Sequence, residues 1–183
     1  MLDTLHAVER DLPQLLTSAA GWNSLRIDYH PPFVDRVWRD WGEYRISLHC
    51  LSPCEPDASL FHPHPWPSAM RILEGQYEMT VSYGKGDTAP PVAAKLIASG
   101  PMEYEMVDEN AWHAVRPIGG AAWTLMVTGM PWNRSAPRSE RPLQPLPPER
   151  IEEMLARFRG YYPPLHSLKE EASTFERQPS PKG

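Results

Sequence analysis

The apolar positions of this chain follow two different periods. At the start, Leu2, Leu5, Val8, Leu12, Leu15 and Leu16 recur at three- and four-residue steps, the spacing that lines one face of an α-helix. Pro13 is expected to break or kink that helix, and Gly21 is a plausible stop. A helix this short is marginal in water by itself, so its leucine stripe must pack on something else. From residue 24 to 132 the period changes. The segments "SLRIDYH", "FVDRVW", "EYRISLHCL", "AMRILEGQYEMTVSY", "VAAKLIAS", "MEYEMV", "AWHAVRP" and "AAWTLMVTGM" are short, rich in β-branched and aromatic residues, and separated by Gly, Pro, Asp or Asn. Such a series without an intervening helix predicts an antiparallel sandwich or barrel. The polar, proline-dense "NRSAPRSERPLQPLPP" then reads as an extended connector. After it, "PERIEEMLARFRGYY" reads as one amphipathic helix, with Pro148 at its start, acids early, arginines late and Gly160 as its stop. The final "HSLKEEASTFERQPSPKG" is expected to be weakly ordered unless it docks.

The organisation predicted is therefore an N-terminal helix over residues 1–21, a barrel over 22–133, and a connector, short helix and tail over 134–183. A chain of 183 residues with 41% hydrophobic content can bury a core of its own. The 22 prolines and 11 glycines are spread without a repeat, which favours many turns and short strands over a helical bundle.

Charge removes several function classes. The formal net charge is −5 and no run of lysine or arginine occurs, so the electrostatic footprint of nucleic-acid or anionic-membrane binding is missing. Small molecules or protein partners are expected instead. No stretch has the length of a membrane span and the N-terminus lacks the order of a signal peptide, so a cytoplasmic location is expected. Cys50 and Cys54, spaced "CLSPC", are too few for a disulfide framework and read as ordinary thiols.

The chemistry concentrates in "LFHPHPWPSAM". Alternate residues of a strand share a face, so His62 and His64 can aim two imidazoles at one point. Zn, Fe, Ni, Cu and Mn all accept imidazole, but two protein ligands rarely suffice. His113, in "MVDENAWHAVRP", is the candidate third ligand.

"HPH", a strand ending at Gly75, a turn and then "WHAVRP" together resemble the two motifs of the cupin superfamily, over roughly residues 24–132. The resemblance implies an all-β fold, the cupin double-stranded β-helix or jelly-roll barrel, here with an N-terminal helix and a C-terminal helical tail. It also places His62 and His64 at the paired metal positions, Gly75 at the turn and His113 at the second-motif position. The family's glutamate ligand has no counterpart: Ser68 or Ala69 stands there, and Glu74 adjoins the turn glycine. Asp108 and Asn110 replace the proline and glycine common in the second motif, a mild change because Asn tolerates a left-handed turn.

A cupin with three histidines and no glutamate resembles the thiol dioxygenase (cysteine dioxygenase-like) branch. That implies Fe(II) as cofactor, with Zn, Ni or Mn as alternatives, and a dioxygenase that takes O2 and a small anionic or chelating substrate such as a thiol acid. Cupins often pair, so a homodimer is expected. Three neutral imidazoles leave a site of charge +2, where a two-histidine, one-carboxylate site would carry +1, and this favours an anionic ligand. Two alternatives stay open: a non-redox metal-dependent isomerase or hydrolase, and a small-molecule binding or sensing module without turnover.

Other residues are candidates for roles around the metal. Arg71 and Arg45 can hold a carboxylate through paired hydrogen bonds if they face inward, and Arg71 shares strand parity with the apolar Ala69, Leu73 and Tyr77. Tyr104 would supply a hydroxyl donor. His49 alternates with Arg45 and Ser47 and could line the same cavity. Trp66, stiffened by Pro65 and Pro67, and Trp112 could wall it, whereas Trp38, Trp41 and Trp123 read as barrel packing. His30 and His6 have no partner pattern.

Overall fold

In a computed structural model, residues 1–134 and 137–164 are described. The expectation of a weakly ordered tail at 166–183 lies outside them. Helix α1 (Leu2–Leu15) is followed by ten strands: β1 (Asn23–Ile27), β2 (Val34–Trp41), β3 (Tyr44–Leu51), β4 (His62–Pro63), β5 (Ser68–Glu74), β6 (Gln76–Tyr83), β7 (Ala94–Ser99), β8 (Met102–Met106), β9 (Ala111–Pro117) and β10 (Ala122–Thr128). Helix α2 (Pro148–Tyr161) closes the series.

The strands form two antiparallel sheets, one of six in the order β1-β2-β3-β10-β5-β8 and one of four in the order β4-β9-β6-β7. This is the expected all-β jelly-roll barrel, with one helix ahead of the strands and one after them. No described helix is long and apolar enough to cross a membrane.

Both faces of the six-stranded sheet are buried, which makes two cores. One lies outside the barrel: Leu5, Val8, Leu12 and Leu16 from the first segment and Met154, Leu155 and Phe158 from α2 cover Val37, Ile46, Leu48, Ala69, Leu125 and Val127 of the sheet. The four residues of the leucine stripe are fully buried, each worth about 2 kcal/mol of transfer free energy. The second core lies between the sheets, where Val34, Leu51, Ile72 and Ala122 meet Tyr77, Met79 and Ala98.

Two punctuation marks act differently from the sequence expectation, and a third, Gly75, stands at the turn where the motif resemblance puts it. α1 runs through Pro13 to Leu15, because a proline in the last turn removes one backbone bond while the buried stripe continues beyond it. α2 likewise includes Gly160. The run "AMRILEGQYEMTVSY" is two strands, β5 and β6, in different sheets. Gly75 between them has φ +82°, and a Cβ there would lie 2.6 Å from the Ala121 carbonyl oxygen, so the chain turns where only glycine fits.

Candidate metal and ligand site

β4 exists because two residues of the proline-rich segment pair with β9. His62 lies opposite His113 and Pro63 opposite Trp112, and the His64 amide then donates to the Ala111 carbonyl at 3.0 Å. The result brings the three motif histidines together. The His113 ring centroid is 4.7 Å from that of His62 and 4.9 Å from that of His64.

The backbone also sets two tautomers. Nδ1 of His62 lies 2.9 Å from the Leu60 carbonyl oxygen, and Nδ1 of His64 lies 2.7 Å from that of Trp66. A carbonyl only accepts, so each Nδ1 carries the proton and each Nε2 keeps its lone pair. Among the described residues, Nδ1 of His113 is buried without a hydrogen-bond partner, the kind of atom that an ion or water satisfies. Burial lowers all three pKa values, that of His64 to about 4. The rings are therefore neutral at pH 7, the form that binds metal. As the side chains stand, no group of three or more His, Cys, Asp or Glu among the described residues is closed around one point tightly enough to hold an ion.

These histidines open on a cavity of about 220 Å³ whose walls are mostly apolar, including Leu25, Ile27, Val34, Leu51, Met70 and Met126. His30 and His49 also line it, so five of the seven histidines of the chain meet there. His30 was invisible as a site residue in the sequence because it comes from the loop after β1; its ring lies 6.1 Å from that of His62.

The residue that sequence reasoning missed is Arg36. It is the one formally charged side chain in the described wall of this cavity. Its Nε donates to Nε2 of His49 at 2.8 Å, and it has no carboxylate partner among the described residues. Burial lowers its pKa to about 10, which leaves it charged at neutral pH. His49 is thereby accounted for: its Nε2 lone pair serves Arg36, and its Nδ1 lies 3.4 Å from Thr124 Oγ1. Burial, then the charge of Arg36, push its pKa well below the usual value. In the sequence Arg36 had no motif; only the inward alternation of β2, Val34 and Arg36 beside each other on the cavity wall, could have marked it.

The other candidates fall elsewhere. Arg71 points out of the barrel, where Nε lies 2.6 Å from Glu9 Oε1 and Nη2 lies 2.6 Å from Glu103 Oε2. It ties β5 and β8 to α1 and does not line the cavity. The parity argument misplaced it because the apolar Ala69 and Leu73 on its side face the helices, and Gly75 reverses the parity before Tyr77. Tyr104 does face inward, but its hydroxyl lies 2.6 Å from that of Tyr77 and 3.1 Å from Met70 Sδ, so Met70 stands between it and the cavity. Arg45 stacks 4.1 Å above the Trp38 ring and bonds Asp40. Trp66 lines the cavity; Trp112 is turned away, with Nε1 donating to the Gly84 carbonyl. Glu74 pairs with Arg157 and Tyr161 of α2, away from the histidines.

No protein-family model matches the chain, and neither does any curated protein. Among solved structures, the barrel is similar to hydroxypropylphosphonic acid epoxidase from S. wedmorenis, with 15% identity over 61% of this chain and 57% of that one, at a TM-score of 0.46. It is similar also to an FeII HppE, with 15% identity over 52% of this chain and 50% of that one, at 0.41. A third is the Schizosaccharomyces pombe Cnp3 cupin domain, with 14% identity over 53% of this chain and 64% of that one, at 0.41. The chain thus spans half to under two thirds of the length of these proteins. Such likeness concerns the shape of the barrel alone.

Proposed function

We propose that His62, His64 and His113 hold one divalent metal ion, Fe(II) in the first place, and that the chain is an O2-dependent dioxygenase for a small organic anion held by Arg36. The observation that carries this reading is the meeting of three neutral imidazoles, two with Nε2 freed by backbone carbonyls, in an apolar cavity whose described wall has a single charge. The donor chemistry fits a mononuclear centre. Closing the set on one ion falls to the side-chain torsions, since Pro63 and Pro65 hold the backbone.

The ion would supply a Lewis-acidic, redox-active centre facing the cavity. The protein's own share is orientation and desolvation. Arg36 offers both Nη groups as a fork for a carboxylate while His49 fixes its Nε edge. The apolar walls exclude water and take the substrate body, and 220 Å³ limits that body to a few carbon atoms. A three-histidine centre of charge +2 and Arg36 favour an anion twice over, which makes thiol acids the first substrates to try. No carboxylate lines the cavity among the described residues, so a hydrolase or isomerase would lack its commonest base.

The test is elemental analysis of anaerobically purified protein beside His62→Ala and His113→Ala, followed by O2 uptake with a panel of thiol acids and diketones. Near-stoichiometric iron lost in both variants, with substrate-dependent uptake, is expected. A wild type that neither contains nor takes up metal would overturn the reading.

A further inference from the structure

The space inside the barrel continues past Arg36. A second cavity of about 370 Å³ adjoins the first, and Arg36, Trp66 and Met126 line both. It is framed by the β2–β3 hairpin at Gly42 and Glu43 and by Gly129, Met130 and Pro131 after β10. The alternation that turns His49 and Thr124 inward turns Ser47 and Thr128 inward as well, and both line this second space.

Those two hydroxyl residues are the informative ones. Ser47 is 1% exposed and Thr128 7%; among the described residues neither hydroxyl has a protein hydrogen-bond partner, and neither oxygen is fully enclosed, so each keeps some surface open to the cavity. Buried hydroxyls normally have partners, and these face a space large enough to hold one. Of the charged groups around them, Arg45 Nε bonds Asp40 at 3.2 Å, Glu43 stands at the rim, and Arg36 is taken up by the ligand's carboxylate on the reading above. A second anionic group would gain no free cation there, whereas an uncharged amide, carbonyl or hydroxyl would meet two unengaged hydroxyls.

We propose that the second cavity is a distal subsite for an uncharged hydrogen-bonding arm of the ligand, bound by Ser47 and Thr128. The ligand class is then a branched organic acid: its carboxylate at Arg36, a small arm toward the histidines, and a polar arm toward Ser47 and Thr128. This rests on the reading of Arg36 as the anchor of the anionic group, and it does not require the metal.

Two probes of matched shape separate the ideas by isothermal titration. N-acetylalanine carries a carboxylate, a methyl and an acetamido arm on one carbon; 2,4-dimethylpentanoate carries an isobutyl arm in place of the acetamido. An apolar subsite would prefer the second. The expected result is that wild type binds N-acetylalanine roughly tenfold more tightly, the worth of about two hydrogen bonds. Ser47→Ala/Thr128→Val should abolish that preference while still binding 2,4-dimethylpentanoate, and Thr128→Ser should retain it. Should the double variant melt early, Ser47→Ala alone carries the comparison and should reduce the preference. No preference in wild type, or one that survives the substitutions, overturns the subsite and leaves Arg36 as anchor. Failure of wild type to bind either probe overturns the anchor and the subsite together.

Discussion

Arg36 lends its Nε proton to Nε2 of His49 across 2.8 Å, between neighbouring strands of one sheet. A guanidinium without a counter-ion is costly to bury, and a neutral imidazole relieves only one of its edges. The remaining edges are what an incoming anion would engage. Arg36→Met is expected to weaken binding of a short carboxylate such as 2,4-dimethylpentanoate by roughly thirtyfold, about 2 kcal/mol for charge-assisted bonds. Arg36→Lys should fall between, since it keeps the charge and loses the fork. Unchanged affinity in Arg36→Met would remove Arg36 from the site.

His49 gives the fold a pH dependence of definite sign. Its pKa in the folded chain is depressed by burial and then by Arg36, so below about pH 6.5 the unfolded chain takes a proton that the folded chain refuses. Stability is full above that pH and falls as the pH drops, by at most about 1.4 kcal/mol per pH unit for each such histidine. Urea midpoints at pH 7.0, 6.0 and 5.0, with chelator present, should decline in that order. His49→Gln should shallow the decline, and an identical slope in wild type and variant would refute its part.

Histidine at position 113 is expected to be indispensable for metal uptake because it adjoins both other rings. Reconstitution with Fe(II) or Co(II), followed by elemental analysis, should give near-unit occupancy in wild type and a loss of tenfold or more in affinity for His113→Ala, the order seen when one part of a metal site is removed. Equal uptake by both proteins would exclude His113 as a ligand.

Arg71→Met separates scaffold from site. Arg71 is held between Glu9 of α1 and Glu103 of β8, so its removal leaves two carboxylates facing each other and should lower the thermal midpoint by a few degrees. Ligand affinity should stay as in wild type. A selective loss of binding with an unchanged midpoint would return Arg71 to the functional residues.

Gly75→Ala should cost about 2 kcal/mol or more, because the left-handed φ is strained for alanine and the new Cβ would meet backbone, which cannot swing aside. A thermal or urea midpoint equal to that of wild type would mean that the β5–β6 corner relaxes more easily than its geometry implies.

Much of the barrel could be read in the sequence because its strands are short and each is bounded by a turn former. The grouping of His113 with His62 and His64 was expected from motif resemblance, and the register that sets His62 opposite His113 brings the rings together. What misled was facing. In a sheet buried on one side, apolar parity marks the inside; here α1 and α2 cover the other side, so Ala69 is as buried as Ile72 and Leu73 packs half-buried against the outer core, and parity assigned Arg71 to the wrong face. Arg36 escaped notice for the converse reason: a lone charged residue in a strand reads as solvent-facing until the loop after β1 and the segment around Trp66 are seen to roof it. The engagement of His49 by Arg36 depends on the register of β2 against β3, which no local pattern reveals.

The two-sided burial of β3 also bears on how this chain can change over time. Ile46, Leu48 and Cys50 serve the helices, while Arg45, Ser47, His49 and Leu51 serve the interior. Substitutions on one row leave the other in place, so the cavity-facing row can be rewritten without disturbing the helical cover. Insertion or deletion of a single residue within the strand would instead exchange the rows, placing aliphatic side chains in the cavity and a guanidinium beneath the helices. A new cavity lining is therefore open to this strand by replacement of residues and closed to it by changes of length.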